Sequence, residues 1–321
     1  MRICSLLPAA TEMLFALGLG DQVVAVSHEC DYPPEATRKP RATNGLVDPR
    51  LLSSAQIDEI VAQSVAEGHR LYHVDLDLLR ELQPDLLITQ DLCTVCAIDG
   101  GEVRLAAGQL EHPPRVLSLG TDSLNELFPS IRQLAEWAEA SAAADALIDG
   151  LADRLEDVRA RAAGLPRPSL VCLEWLDPAW IAGHWMPEVV EAAGGNDALG
   201  QAGLPSFRAT WTEIANAAPE VLIVMPCGFG MERTLEEIDV LLTVPQVRQL
   251  PAFISGQVYV VDSSGFFSRA GPRLIDGLEM LASLLHPQAF PDPVPAGSAL
   301  RLARPLGPGT RQQHLEFVPV S

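Results

Sequence analysis

Pro84-Asp85-Leu86-Leu87-Ile88-Thr89-Gln90-Asp91-Leu92-Cys93-Thr94-Val95-Cys96-Ala97 is the stretch whose reading decides the fold. Leu86 to Thr89 is a short apolar run behind a Pro–Asp break, the signature of a buried parallel strand. The polar half that follows carries Cys93 and Cys96 where that strand should end. In open α/β sheets, ligands sit outside the carboxyl ends of the strands. The pattern recurs along the chain. Cys4 lies in the opening apolar run, and His28 and Cys30 follow Val23 to Val26. Glu174 and Trp175 follow Leu170 to Leu173, and Cys227 follows Val221 to Met225. Reactive and aromatic residues therefore collect at one edge of the expected sheets.

Around this stretch, Ile3–Leu7, Val23–Val26 and Val116–Leu119 read as further strands, giving a first α/β lobe over residues 1–121. From Asp122 to Arg161 the text changes. Leu124, Leu127, Ile131, Leu134 and Ala138, then Leu147, Leu151 and Leu155, recur at helical spacing. One long helix or two stacked ones, a spine over 122–164, is expected. Residues 165–286 then repeat the first lobe, with strands at Leu170–Leu173, Val221–Met225 and Val258–Val261. Helices are expected at Pro187–Ala193, Trp211–Ala217 and Leu274–Leu285, and Pro219-Glu220 stands where Pro84-Asp85 stood. Residues 287–321 are rich in proline and read as an extended surface tail, with room for an edge strand at Leu315–Val318. The fold class is α/β, two similar lobes joined by a long helical spine.

Composition narrows the partners. A formal net charge of -20 leaves no basic stripe for nucleic acid or anionic membrane. No run approaches the roughly 20 apolar residues that a membrane-spanning helix needs. Pro8 and Glu12 break the apolar stretch behind Arg2, and no small-residue cleavage site follows. A first strand close to Met1 and a cytoplasmic location are expected on that ground. In that compartment the six cysteines would be thiols or ligands, not disulfides.

His28-x-Cys30 and Cys93-x-x-Cys96 supply four soft or borderline donors suited to zinc, copper or an iron–sulfur centre. Packing, pocket lining or a dithiol pair are the competing readings. Trp175, Trp180 and Gly183-His184-Trp185 set three indoles and an imidazole among turn residues. Such a group suits stacking on a large planar ligand, or equally the sealing of a core end. Cys227 and Phe229 lie in the glycine-flanked turn Pro226–Gly230, which lacks the ending of a phosphate loop. Phe267 and Arg269 follow the strand at Val258–Val261, and Arg269 would meet a ligand carboxylate, amide or phosphate, or an acidic residue of the chain. No nucleophile elbow, His-Glu-x-x-His or dinucleotide fingerprint is present, so no catalytic residue is assigned.

Ser5-Leu6-Leu7-Pro8-Ala9-Ala10-Thr11-Glu12, the Ala16-Leu17-Gly18 helix end and Pro84-Asp85-Leu86-Leu87 resemble the helical-backbone (class III) substrate-binding proteins. Those proteins serve uptake of vitamin B12, haem and iron–siderophore complexes, and the resemblance covers roughly residues 2–286. His28 to Pro34, Gln90 to Ala97, Glu174-Trp175, Gly183-His184-Trp185 and Phe267 to Arg273 look like the leaderless branch labelled cobalamin-binding protein. The resemblance implies two Rossmann-like lobes with a ligand cleft between them. Relatives dock on a permease through an acidic residue on each lobe. That role is not carried over to Glu12, because a cytoplasmic protein does not meet a permease's outer mouth.

The expected function is non-catalytic binding of a small molecule or metal complex, either a cobalamin-like corrinoid or another large metal complex. His28, Cys93, Trp175, His184, Trp185, Cys227, Phe229, Phe267 and Arg269 would line its site. The alternative is a zinc or iron–sulfur protein or enzyme using His28, Cys30, Cys93 and Cys96, with Cys227 or His184 closing the site.

Overall fold

The computed structural model describes residues 1–49, 51–91, 98, 100–310 and 312–320. The chain divides into two compact α/β lobes. Met1–Leu51, Glu59–Ala152 and Ala270–Pro272 make the first; Leu52–Asp58, Asp153–Arg269 and Arg273–Ser321 make the second.

In the first lobe, strands β1 (Ile3–Ser5), β2 (Val23–Val26), β5 (Leu86–Gln90) and β6 (Arg115–Leu119) form a parallel sheet in the order β2-β1-β5-β6. A separate antiparallel pair, β3 (Thr43–Gly45) and β4 (Tyr72–Val74), stands beside it in the sequence. All five residues of β5 are buried, which explains the apolar run Leu86–Ile88 at its start: a central parallel strand is covered on both faces. Helices α1 (Pro8–Ala16), α2 (Ser54–Ala66), α3 (Leu76–Leu82), α4 (Gly100–Ala107) and α5 (Leu127–Trp137) belong to the elements between and after these strands. Pro8 opens α1 at its first turn, where the missing N–H costs nothing. Asp75 caps α3, accepting from the Leu78 N–H at 2.9 Å.

The second lobe has an eight-stranded mixed sheet. Its strands are β7 (Ser169–Trp175), β8 (Trp180–Ile181), β9 (Asn196–Asp197), β10 (Phe207–Arg208), β11 (Val221–Val224), β12 (Val258–Val261), β13 (Ala299–Leu302) and β14 (Phe317–Pro319). The order is β10-β8-β7-β11-β12-β13-β14, with β9 pairing β7. The core strands β7, β11 and β12 are parallel, whereas β13 and β14 return antiparallel. The proline-rich tail thus contributes two strands to this sheet. Phe253, fully buried, lies in a core with Val171, Leu222, Val224 and Val260.

The stretch from Asp122 to Arg161 resolves into a 3-10 turn (Leu124–Glu126), α5 and α6 (Ser141–Ala162). The turn is closed by a capping box between Ser123 and Glu126. Two helices form because Glu139 turns left-handed between them (φ 59), while Gly150 passes inside α6 without a break. The boundary between the lobes falls within α6, after Ala152. The second lobe is completed by α7 (Met186–Ala192), α8 (Trp211–Ala217), α9 (Met231–Glu237), α10 (Pro251–Ser255), α11 (Ser263–Phe266) and α12 (Arg273–Leu285). Arg154 ties α6 to α12 through Glu279 (2.8 and 2.6 Å) and Asp276 (2.6 Å).

The two lobes repeat one corner. In the first, α3 ends at Gln83 in the left-handed region (φ 44), and Pro84-Asp85 leads into β5. In the second, α8 ends at Ala218 (φ 46), and Pro219-Glu220 leads into β11. Each acid accepts the N–H of a residue at the start of the neighbouring parallel strand. Asp85 takes Arg2 at 2.6 Å, and Glu220 takes Ser169 at 2.9 Å. The acid's own N–H donates back to the same residue's carbonyl, at 2.8 Å in both lobes.

Asp197 is satisfied on one oxygen only. Its Oδ1 accepts from Gly200 (2.7 Å) and Leu199 (3.1 Å), but its buried Oδ2 has no hydrogen-bond partner among the described residues. Burial pushes its carboxyl above the usual range, and the two amides pull back only in part. A carboxyl raised in the folded state stabilises below its unfolded value and loses that contribution as pH rises through the folded one. Asp197→Asn should therefore raise the melting temperature at pH 7, with the gain shrinking toward about pH 4, near the free carboxyl value. Melting curves across that range check it.

Candidate functional site

The first lobe places His28 and Cys30 just beyond the carboxyl end of β2. Their side chains meet different partners. The Cys30 thiol is buried and lies 3.1 Å from the Thr11 hydroxyl and 3.3 Å from that of Ser27. The His28 ring tilts against Tyr72 at 5.6 Å; its Nδ1 lies 2.9 Å from Thr43 Oγ1 and its Nε2 3.3 Å from Glu29. Arg41 holds the turn between them, donating to the carbonyls of Ser27 (2.8 Å) and Cys30 (2.6 Å). Cys93 and Cys96 lie outside the described residues. Among those described, no group of three or more His, Cys, Asp or Glu is arranged to hold a metal ion, and Cys4, Cys30, Cys172 and Cys227 are free thiols. An open cavity of about 490 Å³ lies between β4 and α4, against Tyr72, His73, Arg104 and Leu105.

The second lobe brings the greater part of the candidate residues to one sheet edge. Glu174 and Trp175 end β7, Cys227 and Phe229 follow β11, and Phe267 and Arg269 follow β12. Backbone bonds lock the three endings together. Cys227 donates to the Glu174 carbonyl (2.9 Å), and Ser264 to that of Phe229 (3.1 Å). Gly228 donates to the Ser268 hydroxyl at 3.1 Å. The Trp175 ring stands 4.9 Å from Phe229 at 55°, a tilted aromatic contact. Trp185 is buried, and its indole N–H goes to the Phe267 carbonyl at 2.9 Å. Phe229 and Phe267 are buried as well. Trp175, Trp180, Cys227 and Arg269 remain half-buried along this edge, and His184 is half-buried in the turn after β8. Arg269 donates to the Ser264 hydroxyl at 3.1 Å.

His184 sits in the left-handed region (φ 49), in a turn pinned by its own N–H to the Leu204 carbonyl (2.6 Å). The Gly183 N–H bonds Ser206, whose hydroxyl donates to Glu174. The chain passes so close here that a β-carbon on Gly183 would run into the Leu204 carbonyl.

The sequence did not single out the residues that close this edge. Trp175 donates its indole N–H to the Ser54 carbonyl (3.1 Å), and Trp180 to Asp58 (3.2 Å). Arg208 pairs with the same Asp58, Arg233 bonds the Leu52 carbonyl (2.7 Å) and pairs with Glu237, and Glu237 accepts the Ser54 N–H (2.9 Å). Arg233 also lies 4.5 Å over the Phe229 ring. These partners are up to 183 residues apart in sequence, and no local pattern announces them.

A family model described as periplasmic binding protein matches residues 3–264. The chain belongs to that family. It is 24% identical over 286 residues to the vitamin B12-binding protein of Vibrio cholerae, covering 88% of each. Among solved structures, a periplasmic heme-binding protein of Pseudomonas aeruginosa superposes with a TM-score of 0.69 at 18% identity, covering 99% of this chain and 98% of that one. The periplasmic vitamin B12-binding protein of Vibrio cholerae gives 0.65 at 21% identity, covering 88% and 96%. The relatives are binding proteins, and the chain has their two-lobed class III fold. No helix among the described residues is long and apolar enough to cross a membrane.

These relatives overturn the cytoplasmic placement. The family is one of periplasmic binding proteins, and the matched haem- and B12-binding structures are of periplasmic proteins. That expectation rests on the apolar stretch broken at Pro8 and Glu12, the lack of a small-residue cleavage site and a first strand near Met1, none of which fixes the compartment. The ground for setting aside a permease partner falls with it, as does the redox argument about the cysteines.

Two outcomes follow for the site. Gly183→Ala should cost about 1–3 kcal/mol, the usual range for overpacking, read by denaturant unfolding. Burial lowers the His28 pKa, Glu29 raises it and Arg41 lowers it further, with a net lowering. A histidine held neutral in this way contributes stability above its unfolded value and loses it as pH falls through the folded one. The melting temperature should fall from about pH 7 to pH 5 across the ordinary histidine range, and His28→Gln should flatten that slope.

Proposed function

We propose that the chain binds a large, flat metal complex of the tetrapyrrole class, a corrinoid or a haem, and carries it without transforming it. The observation that carries this reading is the carboxyl edge of the second lobe. There the half-buried Trp175, Cys227 and Arg269 follow three strand ends tied by hydrogen bonds, and the half-buried His184 lies in the turn after β8. The indole face offers stacking, His184 and Cys227 offer donors to a metal's axial position, and Arg269 offers a cation to a propionate or amide. Phe229 backs the Trp175 ring and fixes its tilt. The likeness to vitamin B12- and heme-binding proteins supports the same ligand class.

Titration of the purified protein with cyanocobalamin and with hemin tests it, by tryptophan quenching and the visible spectrum. Saturable binding of one of them is expected, with Trp175→Ala weakening it about 2- to 12-fold, the worth of one aromatic contact. No binding of either at about 100 μM, about -5.5 kcal/mol, removes the reading.

A further inference from the structure

Helix α2 is shared between the lobes: its first residues, through Asp58, group with the second, and Glu59 onward with the first. The short segment Leu52–Asp58 lies on the carboxyl edge of the second lobe's sheet. It is held there by the indoles of Trp175 and Trp180 and by Arg208, Arg233 and Glu237. Both half-buried indoles of this edge spend their N–H on it. Burial raises the Glu237 carboxyl, but its bonds to Arg233 and Ser54 outweigh that and hold it below the usual range. The carboxylate is therefore charged and paired at neutral pH.

The chemistry of these bonds matches the ligand class. The Ser54 carbonyl is an amide oxygen and the Asp58 side chain a carboxylate. Corrinoids carry peripheral amides and haems carry propionates, so a ligand would present the same acceptors to the same two donors. The segment is held mainly by polar bonds to side chains; Leu52 and Ile57 are only half-buried, and Leu51 just before it is 79% exposed. Polar bonds of this kind exchange readily for equivalent ones from water or a ligand.

We propose that Leu52–Asp58 is a displaceable strap, an internal stand-in for the ligand that occupies the indole donors of Trp175 and Trp180 until an amide- or carboxylate-bearing ligand replaces it. This rests on the ligand reading above, but its first test needs no ligand. The five tryptophans give five indole N–H signals by nitrogen-15 NMR, and Trp→Phe variants assign those of Trp175 and Trp180. Asp58→Ala should speed hydrogen exchange at both indoles at least about tenfold, because the strap leaves as one piece, while Trp185, bonded to Phe267, stays protected. Asp58→Asn keeps the side chain's shape and serves as the second variant should Asp58→Ala unfold.

Association of cyanocobalamin or hemin should be at least about threefold faster with either variant than with the wild type. Faster exchange at Trp180 alone means a single lost bond and overturns the strap. Slower or weaker ligand binding by the variants overturns it too, since Asp58 would then belong to the ligand's own contacts. If neither wild type nor variants bind either probe, the ligand class fails, and the exchange rates alone decide whether the strap exists.

Discussion

A parallel strand pair needs its second member delivered from the far side of the sheet, and in both lobes one corner does this. A left-handed helix end, a proline and an acid turn the chain into β5 and β11, and the acid's carboxylate fixes the register of β1 or β7. Proline forbids the helix to continue, and the carboxylate satisfies an N–H that the parallel ladder would leave open. The position of each lobe's candidate edge follows from that geometry. Once β7 and β11 run side by side in register, Trp175 and Cys227 must emerge at the same end.

That edge is stiffer than its aromatic content suggests. Trp185 and Phe267 are both buried, and the Trp185 indole N–H donates to the Phe267 carbonyl, which ties the start of α7 to the end of α11. Phe229 lies between Trp175 and the Arg233 guanidinium, which pins the Trp175 ring from behind. What remains half-open is a small set of different chemistries: two indoles, a thiol and a guanidinium, with the His184 imidazole in the turn after β8. Preorganised groups of mixed type suit recognition of a rigid ligand with several kinds of surface.

The two-lobed fold was legible because Pro84-Asp85-Leu86 and Pro219-Glu220-Val221 are local signals, and so were the helices after Asp122 with their steady apolar spacing. The strand ends were legible for the same reason, which placed Glu174, Trp175 and Cys227 at an edge. Their partners were not. Thr43–Gly45 and Tyr72–Val74 are three-residue strands with α2 between them, too short for any period to show. Ser54 meets Trp175 across 121 residues, a contact fixed by the assembled lobe alone. Cys30 read as a soft donor, yet its thiol is buried beside two hydroxyls, a placement that spacing does not encode. Ala299–Leu302 was hidden by its proline-rich surroundings, although it completes the cover of β12.

That last strand pair does more than fill a gap. Without β13 and β14, the outer flank of β12 would expose a row of unsatisfied amides beside the buried run Val258–Val261. Such a flank invites sheet-to-sheet polymerisation between molecules. β13 closes it, and β14 ends the sheet in three residues, the last of them Pro319, which has no N–H to offer a neighbour. The tail therefore acts as a hem on the sheet, closing it against edge-to-edge pairing with a neighbouring molecule.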